Sequence, residues 1–182
     1  MLYQPDWIVG DIVELPVETL LAAGIRAVVF DLDNTLVIPK SADLAPHRAA
    51  WLNTLRGKGL ALLCLTNNGN ASYCQQCQAV LGMPFVTHAK KPWPKGFRQV
   101  LAQLNLPPSQ ILMVGDRPLT DIQGGVLHGM KTALCRPINA ANEPWFVHGL
   151  RWLEHRVIRT PAKNPLPLAT PHTPELVHVV GT

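Results

Sequence analysis

The apolar positions of this chain gather into short continuous runs, and each run stops at a polar tip. Ala27-Val28-Val29-Phe30 is β-branched and aromatic without alternation, the pattern of a strand covered on both faces. It ends in Asp31-Leu32-Asp33-Asn34-Thr35. Leu60 to Leu65 is a second such run and ends in Thr66-Asn67-Asn68-Gly69; Ile111 to Val114 is a third and ends in Gly115-Asp116-Arg117-Pro118-Leu119-Thr120-Asp121. Pro84 to His88 predicts a short strand that stops near Lys90-Lys91-Pro92, and Lys131 to Cys135 predicts a last one. Between the runs, apolar residues recur at helical spacing. They predict helices from Pro16 to Ala23, about 43 to 58, 70 to 81, Phe97 to Asn105, and from Asp121 to about Gly129, with Gly24, Gly59 and Gly82 as stops. Residues 1 to 15 show no clear period and read as an extended lead-in.

Strand and helix alternate throughout, which predicts an α/β fold: a three-layer, Rossmann-like parallel sheet with helices on both faces. Ligands of such sheets bind in the crevice beyond the carboxyl ends of the strands. The polar tips lie at those ends, so Asp31, Asp33, Thr66, Lys91, Asp116 and Asp121 can converge although they are far apart in the chain. Side chains two apart on a strand face the same way, so Asp31 and Asp33 are expected to look out together. Two carboxylates that close repel, and a hard cation such as Mg2+ relieves them.

The chemistry that suits this set is phosphoryl transfer. A carboxylate attacks phosphorus only if a cation screens the negative phosphate. Asp31 and Asp116 would hold that cation, while Thr66 with nearby backbone N–H groups and the Lys91 ammonium would meet the equatorial oxygens. Asp33 is placed to give a proton to the leaving alkoxide and later to take one from water.

These residues, in this order and each after a strand, resemble the haloacid dehalogenase (HAD) superfamily of phosphatases. The likeness covers residues 1 to roughly 158. It implies that Asp31 is the nucleophile and Asp33 the general acid/base, that Thr66, Asn67 and Lys91 bind phosphate, and that Asp31, Asp116, Asp121 and the backbone carbonyl of Asp33 hold Mg2+. Lys90 is a rival for the lysine, and the Lys-Pro pairing favours Lys91. Neither gap between these motifs is long enough for a cap domain, so the site is expected to be open and to suit phosphate carried on something large or on a surface. Within the superfamily the chain is most similar to the capless group of YqeG-like proteins and phosphatidylglycerophosphate phosphatases. That likeness implies dephosphorylation of phosphatidylglycerophosphate to phosphatidylglycerol. A soluble phosphomonoester or a phosphoprotein is the alternative substrate, and a non-catalytic phosphate- or nucleic-acid-binding module the alternative class; no specific nucleic acid is expected. Arg117-Pro118 and the proline-rich tail depart from the family pattern.

Composition narrows the setting. The chain has 182 residues, 47% hydrophobic and 15% charged, which fits a single globular domain rather than disorder. A net charge of +4 favours anionic partners without choosing among them. Four scattered cysteines suit a reducing compartment, and Cys74-Gln75-Gln76-Cys77 lacks the second pair that a zinc site needs. The seven histidines are scattered and read as surface or core residues. The first ten residues lack a signal-peptide pattern and no window is long and apolar enough to span a bilayer, so a cytoplasmic protein is expected. Residues 142–159 interleave Trp145, Phe146, Trp152 and Leu153 with Arg151, Arg156 and Arg159. They read as a basic amphipathic helix that either lies on an anionic membrane or packs on the sheet. The phosphatase domain is expected over 1–159, followed by a proline-rich, disordered tail over 160–182.

Overall fold

The computed structural model describes residues 3–139, 162–164 and 166. Six parallel strands form its central sheet: β1 (Trp7–Val9), β2 (Ala27–Phe30), β3 (Ala61–Leu65), β4 (Phe85–Val86), β5 (Ile111–Gly115) and β6 (Lys131–Cys135), in the spatial order β1-β6-β5-β2-β3-β4. The helices are α1 (Val17–Ala22), α2 (Pro46–Gly57), α3 (Ala71–Leu81), α4 (Pro94–Leu104) and α5 (Gln123–Leu127). β2 is the hub. Val28 sits opposite Leu62 on one side and Leu112 on the other, so β2 has a partner on both edges.

Both faces of β2 are covered as well, which is why its four residues read as an unbroken apolar run. Val28 and Phe30 enter one core with Leu20 of α1, Leu52 and Leu55 of α2, and Cys77 and Leu81 of α3. Ala27 and Val29 enter the other core with Phe97 and Val100 of α4. Trp51 anchors α2 to the sheet: its ring meets Phe30 edge-on with centroids 6.0 Å apart, and its indole N–H donates to the Leu15 carbonyl at 3.1 Å.

The expected α/β architecture is the one observed, and among the described residues no further element is inserted between β2 and α2 or, beyond α3, between β3 and β4. Residues 31–45 join β2 to α2 directly, and α3 is the only element between β3 and β4. The chain leaves β2 towards β3 and returns to β5 on the opposite side of β2. The strand order therefore reverses between β2 and β5, and a crevice opens over their carboxyl ends.

Several local expectations are corrected. The lead-in contains β1, an edge strand whose Trp7 pairs in register with Ala133, followed by a 3-10 turn at Ile12–Glu14. Three residues buried, exposed and buried in turn are too few to show a period. α2 starts at Pro46, because Asp43 uses its carboxylate on the Ser41 hydroxyl at 2.7 Å in a turn. The helix after β5 is interrupted: Pro118–Ile122 form a wide π turn before α5 begins. Of the proline-rich segment, residues 162–164 and 166 are described. Lys163 and Asn164 donate their N–H groups to the carbonyls of Pro5 and Asp6 at 3.0 and 2.9 Å, and Leu166 packs on the core. The rest of 160–182 and the whole 142–159 segment lie outside the described residues. Among the described residues no helix is long and apolar enough to cross a membrane.

Candidate active site

The crevice over β2 and β5 holds an open cleft of about 220 Å3. Asp31, Asp33, Thr66, Asn67, Lys91 and Asp116 all line it, together with Asn34, Asn68, Arg117 and Thr120. Asp121 lies beneath the lining with no exposed surface, and carboxylate oxygens of Asp31, Asp116 and Asp121 come within 4.8 Å of one another. The sequence thus identifies residues that the fold does bring together.

Lys91 stands among these acids. Its ammonium contacts Asp31 Oδ1 at 2.6 Å and Asp121 Oδ1 at 2.7 Å, and its side chain is almost wholly buried. Lys90 is exposed, so the structure places Lys91 and not its neighbour in the cleft. Burial pushes the Asp31 carboxyl up and Lys91 pulls it down; Asp121 and Asp116 push it up again, to about 7. Burial works against the Lys91 ammonium, but Asp121 and Asp31 outweigh it and hold the lysine above its ordinary range. Lys91 is thus shared between two buried carboxylates, Asp31 and Asp121, with the Asp116 carboxylate alongside them.

Each acid is held by its surroundings. Asp116 follows β5 directly and accepts from the buried Thr35 hydroxyl at 3.4 Å. The wide turn at 118–122 carries Asp121 back towards the strand end, where Oδ2 accepts the Arg117 N–H at 3.0 Å. That carboxylate leans over Gly115, whose missing Cβ would sit 2.3 Å from Oδ2.

Asp33 shares the cleft with Asp31 but has different partners. β2 ends at Phe30, Leu32 is fully buried, and Asp33 enters a turn in which it bridges Val37, so strand alternation does not set its direction. Its Oδ2 accepts from the Asn68 amide at 3.0 Å and its Oδ1 from the Tyr73 hydroxyl at 2.8 Å. Only Asp31 of the two belongs to the carboxylate cluster. The Tyr73 hydroxyl also lies 3.2 Å from the Ser41 carbonyl. Burial and the Asp33 hydrogen bond raise the Tyr73 pKa, which keeps the phenol protonated.

The loop after β3 is built on side chains. Thr66 Oγ1 accepts the Asn68 N–H at 3.0 Å, and Asn68 Oδ1 accepts the Asn70 N–H at 3.0 Å. Asn70 caps α3 by accepting the Tyr73 N–H at 3.1 Å. Asn67 turns the other way: its Oδ1 accepts the Lys91 N–H at 2.6 Å and its amide donates to the Lys91 carbonyl at 3.2 Å. The Asn67 side chain is thus committed to the Lys91 backbone and positions that lysine.

Sequence reasoning missed Tyr73, Asn68 and Thr35 as parts of the site. Asn68 and Thr35 sit inside the stretches already singled out; Tyr73 is in the first turn of the helix that follows one of them, a place with no sequence signal of its own. The cysteines behave as expected of core residues: all four are buried, and burial raises every one of the thiols, so none is a ready thiolate.

Comparison with known proteins bears on the chemistry. Residues 1–139 match the family model described as "Mitochondrial PGP phosphatase". The chain is 28% identical over 156 residues to "Probable phosphatase YqeG" of Bacillus subtilis (strain 168), which covers 86% of this chain and 90% of that protein. It is 34% identical over 160 residues to "Phosphatidylglycerophosphate phosphatase 1, chloroplastic" of Chlamydomonas reinhardtii, covering 82% of this chain and 59% of the algal protein. Of the Arabidopsis thaliana protein "Phosphatidylglycerophosphate phosphatase 1, chloroplastic/mitochondrial" it spans 47%. Among solved structures, an uncharacterised protein from Listeria monocytogenes aligns with TM-score 0.55 and 15% identity over 78% of this chain and 91% of that one. The magnesium-bound HAD-hydrolase YfnB of Bacillus subtilis aligns with TM-score 0.51 and 13% identity over 78% of this chain and 94% of that one. Those two likenesses concern the fold. With the family model matched over residues 1–139 and the sheet, crevice and acidic motifs in place, the chain belongs to the mitochondrial PGP phosphatase family of HAD-superfamily phosphatases, the YqeG type, and is a phosphoric monoester hydrolase.

Proposed function

We propose that this phosphatase is Mg2+-dependent, works through an aspartyl phosphate on Asp31, and converts phosphatidylglycerophosphate to phosphatidylglycerol. The observation that carries the mechanism is the buried trio of Asp31, Asp116 and Asp121, clustered at the end of β2 and β5 beside Lys91. Carboxylate oxygens within 4.8 Å of one another are a hard, oxygen-only donor set of the kind that suits a divalent cation. Asp31, Asp116, Asp121 and the carbonyl of Asp33 would hold Mg2+, which supplies neutralisation of phosphate charge when bound.

The chain's own residues account for the bond changes. Asp31 attacks phosphorus; an Asp31 oxygen–phosphorus bond forms as the bond to the leaving oxygen breaks. Asp33 gives that oxygen its proton, then accepts a proton from the water that cleaves the aspartyl phosphate and releases inorganic phosphate. Tyr73 suits both states of Asp33. When Asp33 is ionised the phenol donates to it, and when Asp33 is protonated the phenol can donate to the Ser41 carbonyl and accept from the acid. Thr66, with its oxygen already accepting from Asn68, keeps its O–H for a phosphate oxygen, and Lys91 supplies the charge beside it.

The substrate assignment rests on the family likeness, on the names of the plastid relatives, and on a cleft without a cap, which suits a headgroup presented at a surface. Purified protein should be assayed against short-chain phosphatidylglycerophosphate, a sugar phosphate, a nucleotide and a phosphopeptide. Preference for the lipid is the expected result, and equal rates on all four would refute the substrate. Asp31→Asn should abolish turnover with the fold intact by circular dichroism; retained activity would mean another nucleophile.

A further inference from the structure

A second basin of about 430 Å3 adjoins the catalytic cleft at Asn68, which lines both, and is otherwise lined by Lys40, Asn70, Ser72, Tyr73 and Gln76. Two of these, Asn68 and Tyr73, are the residues that hold the two Asp33 oxygens. Every lining side chain carries a polar group, and Lys40 is the one cation among them. Ser72 and Gln76 are four apart on α3 and so share a face. The opposite wall is tied to that helix, because the Ser41 carbonyl accepts from the Tyr73 hydroxyl at 3.2 Å and Ser41 follows Lys40 directly. Lys40 itself stands at φ 66°, in the left-handed region where glycine or asparagine is accommodated at less cost. A lysine held there points to use of its side chain.

We propose that this basin is the leaving-group subsite, that Lys40 is its specificity-determining residue, and that it takes a polyol whose far end carries a phosphodiester anion. The inference rests on the assignment of Asp33 as proton donor. A general acid must lie next to the oxygen it protonates, so the leaving group departs past Asp33, and the basin that shares Asn68 and Tyr73 is the space on that side. Asn70, Ser72 and Gln76 offer hydrogen bonds to hydroxyl groups, and the lining does not suit acyl chains. The Lys40 ammonium suits a second anion. Two sources share this chemistry: the headgroup of phosphatidylglycerophosphate and its soluble, deacylated counterpart, glycerophosphoglycerophosphate.

Lys40→Gln removes the charge while keeping an unbranched polar side chain, one bond shorter, at the same backbone position. The test compares wild type, Lys40→Gln and Lys40→Arg on short-chain phosphatidylglycerophosphate, glycerophosphoglycerophosphate and glycerol phosphate, which lacks the diester. Because Lys40 is exposed, kcat/KM of Lys40→Gln on both diester substrates should fall about fivefold, carried by KM. On glycerol phosphate it should change less than about twofold, and Lys40→Arg should keep wild-type rates throughout. Equal losses on the acylated and deacylated substrates support a site that reads the headgroup. A loss confined to the acylated substrate would assign Lys40 to the lipid surface and overturn the proposal, as would equal loss on all three substrates or no loss on any. Wild-type protein that hydrolyses none of them overturns the proposed substrate and the subsite with it; wild-type activity with Lys40→Gln unchanged sinks the subsite alone.

Discussion

A single methyl group added at Gly115 tests whether the backbone of β5 was shaped around the acidic trio. In Gly115→Ala the new Cβ would lie 2.3 Å from Asp121 Oδ2 and 2.4 Å from its Cγ, with ordinary contact beginning near 3.4 Å. The carboxylate has to retreat by roughly 1 Å, because the interior is close-packed and β5 is held on both edges. Retreat breaks the Oδ2 bond to the Arg117 N–H and the Oδ1 contact with Lys91. Overpacking costs about 1–3 kcal/mol and weakened charge-assisted hydrogen bonds about 1.5–3 kcal/mol. The sum, roughly 2.5–6 kcal/mol, corresponds to a fall in Tm on the order of 10 °C for a chain of this size. Activity should fall further than stability suggests, since a misplacement of about 1 Å in a reacting site costs on the order of a hundredfold. Gly124→Ala is the control. Its Cβ would meet Phe97 Cζ at 2.3 Å, a similar clash in the core between α4 and α5. That variant should lose about 1–3 kcal/mol yet keep kcat/KM at temperatures where it is folded. Thermal unfolding and steady-state hydrolysis, measured with and without Mg2+, read both effects. Gly115→Ala with wild-type Tm and kcat/KM would refute the close approach of Asp121 as a requirement of the site.

Three further outcomes follow from the same contacts. Tyr73→Phe should lower kcat by about tenfold on an alkyl phosphate with KM little changed, and much less on p-nitrophenyl phosphate, whose leaving group needs no proton; equal losses on both would remove Tyr73 from proton handling. Lys91→Met leaves buried Asp31 and Asp121 without their shared ammonium. Chemical denaturation in EDTA should show a loss of about 3–5 kcal/mol, partly recovered with Mg2+, and full stability in EDTA would contradict the ion pairs. Arg48 makes a two-point contact with Asp11. Burial raises the Asp11 pKa, but the Arg48 hydrogen bond, the Val13 N–H and the nearby charges outweigh it and hold the value below the ordinary 3.8. The pair therefore stabilises the fold above pH 3.8 and fades as pH falls through the lower folded value. Arg48→Met should cost about 1 kcal/mol at neutral pH, a Tm shift of roughly 3 °C, and the gap to wild type should close in acid; a gap independent of pH would argue against the ion pair.

Much of this protein is legible in the chain because its strands are buried on both faces. β2, β3 and β5 must then be continuous apolar runs, and a parallel sheet puts whatever polar residues follow them on one edge. That suffices to bring Asp31, Thr66, Lys91, Asp116 and Asp121 to one place and to exclude a cap from gaps too short to hold one. Short or interrupted elements escape such reading. β1 owes its existence to β6, and the π turn that carries Asp121 back over Gly115 has no periodic signature. The tertiary structure also decided partnership within the site. Asp31 and Asp33, two positions apart, went to different neighbours because β2 stops at Phe30, which gave one to Lys91 and the other to Asn68 and Tyr73. The choice of Lys91 over Lys90, the commitment of Asn67 to the Lys91 backbone, and the basin that pairs Lys40 with α3 depend likewise on contacts between distant segments. Residue order determines which chemical groups reach the sheet edge, since strand burial is a local property of the pattern; only packing determines which group meets which.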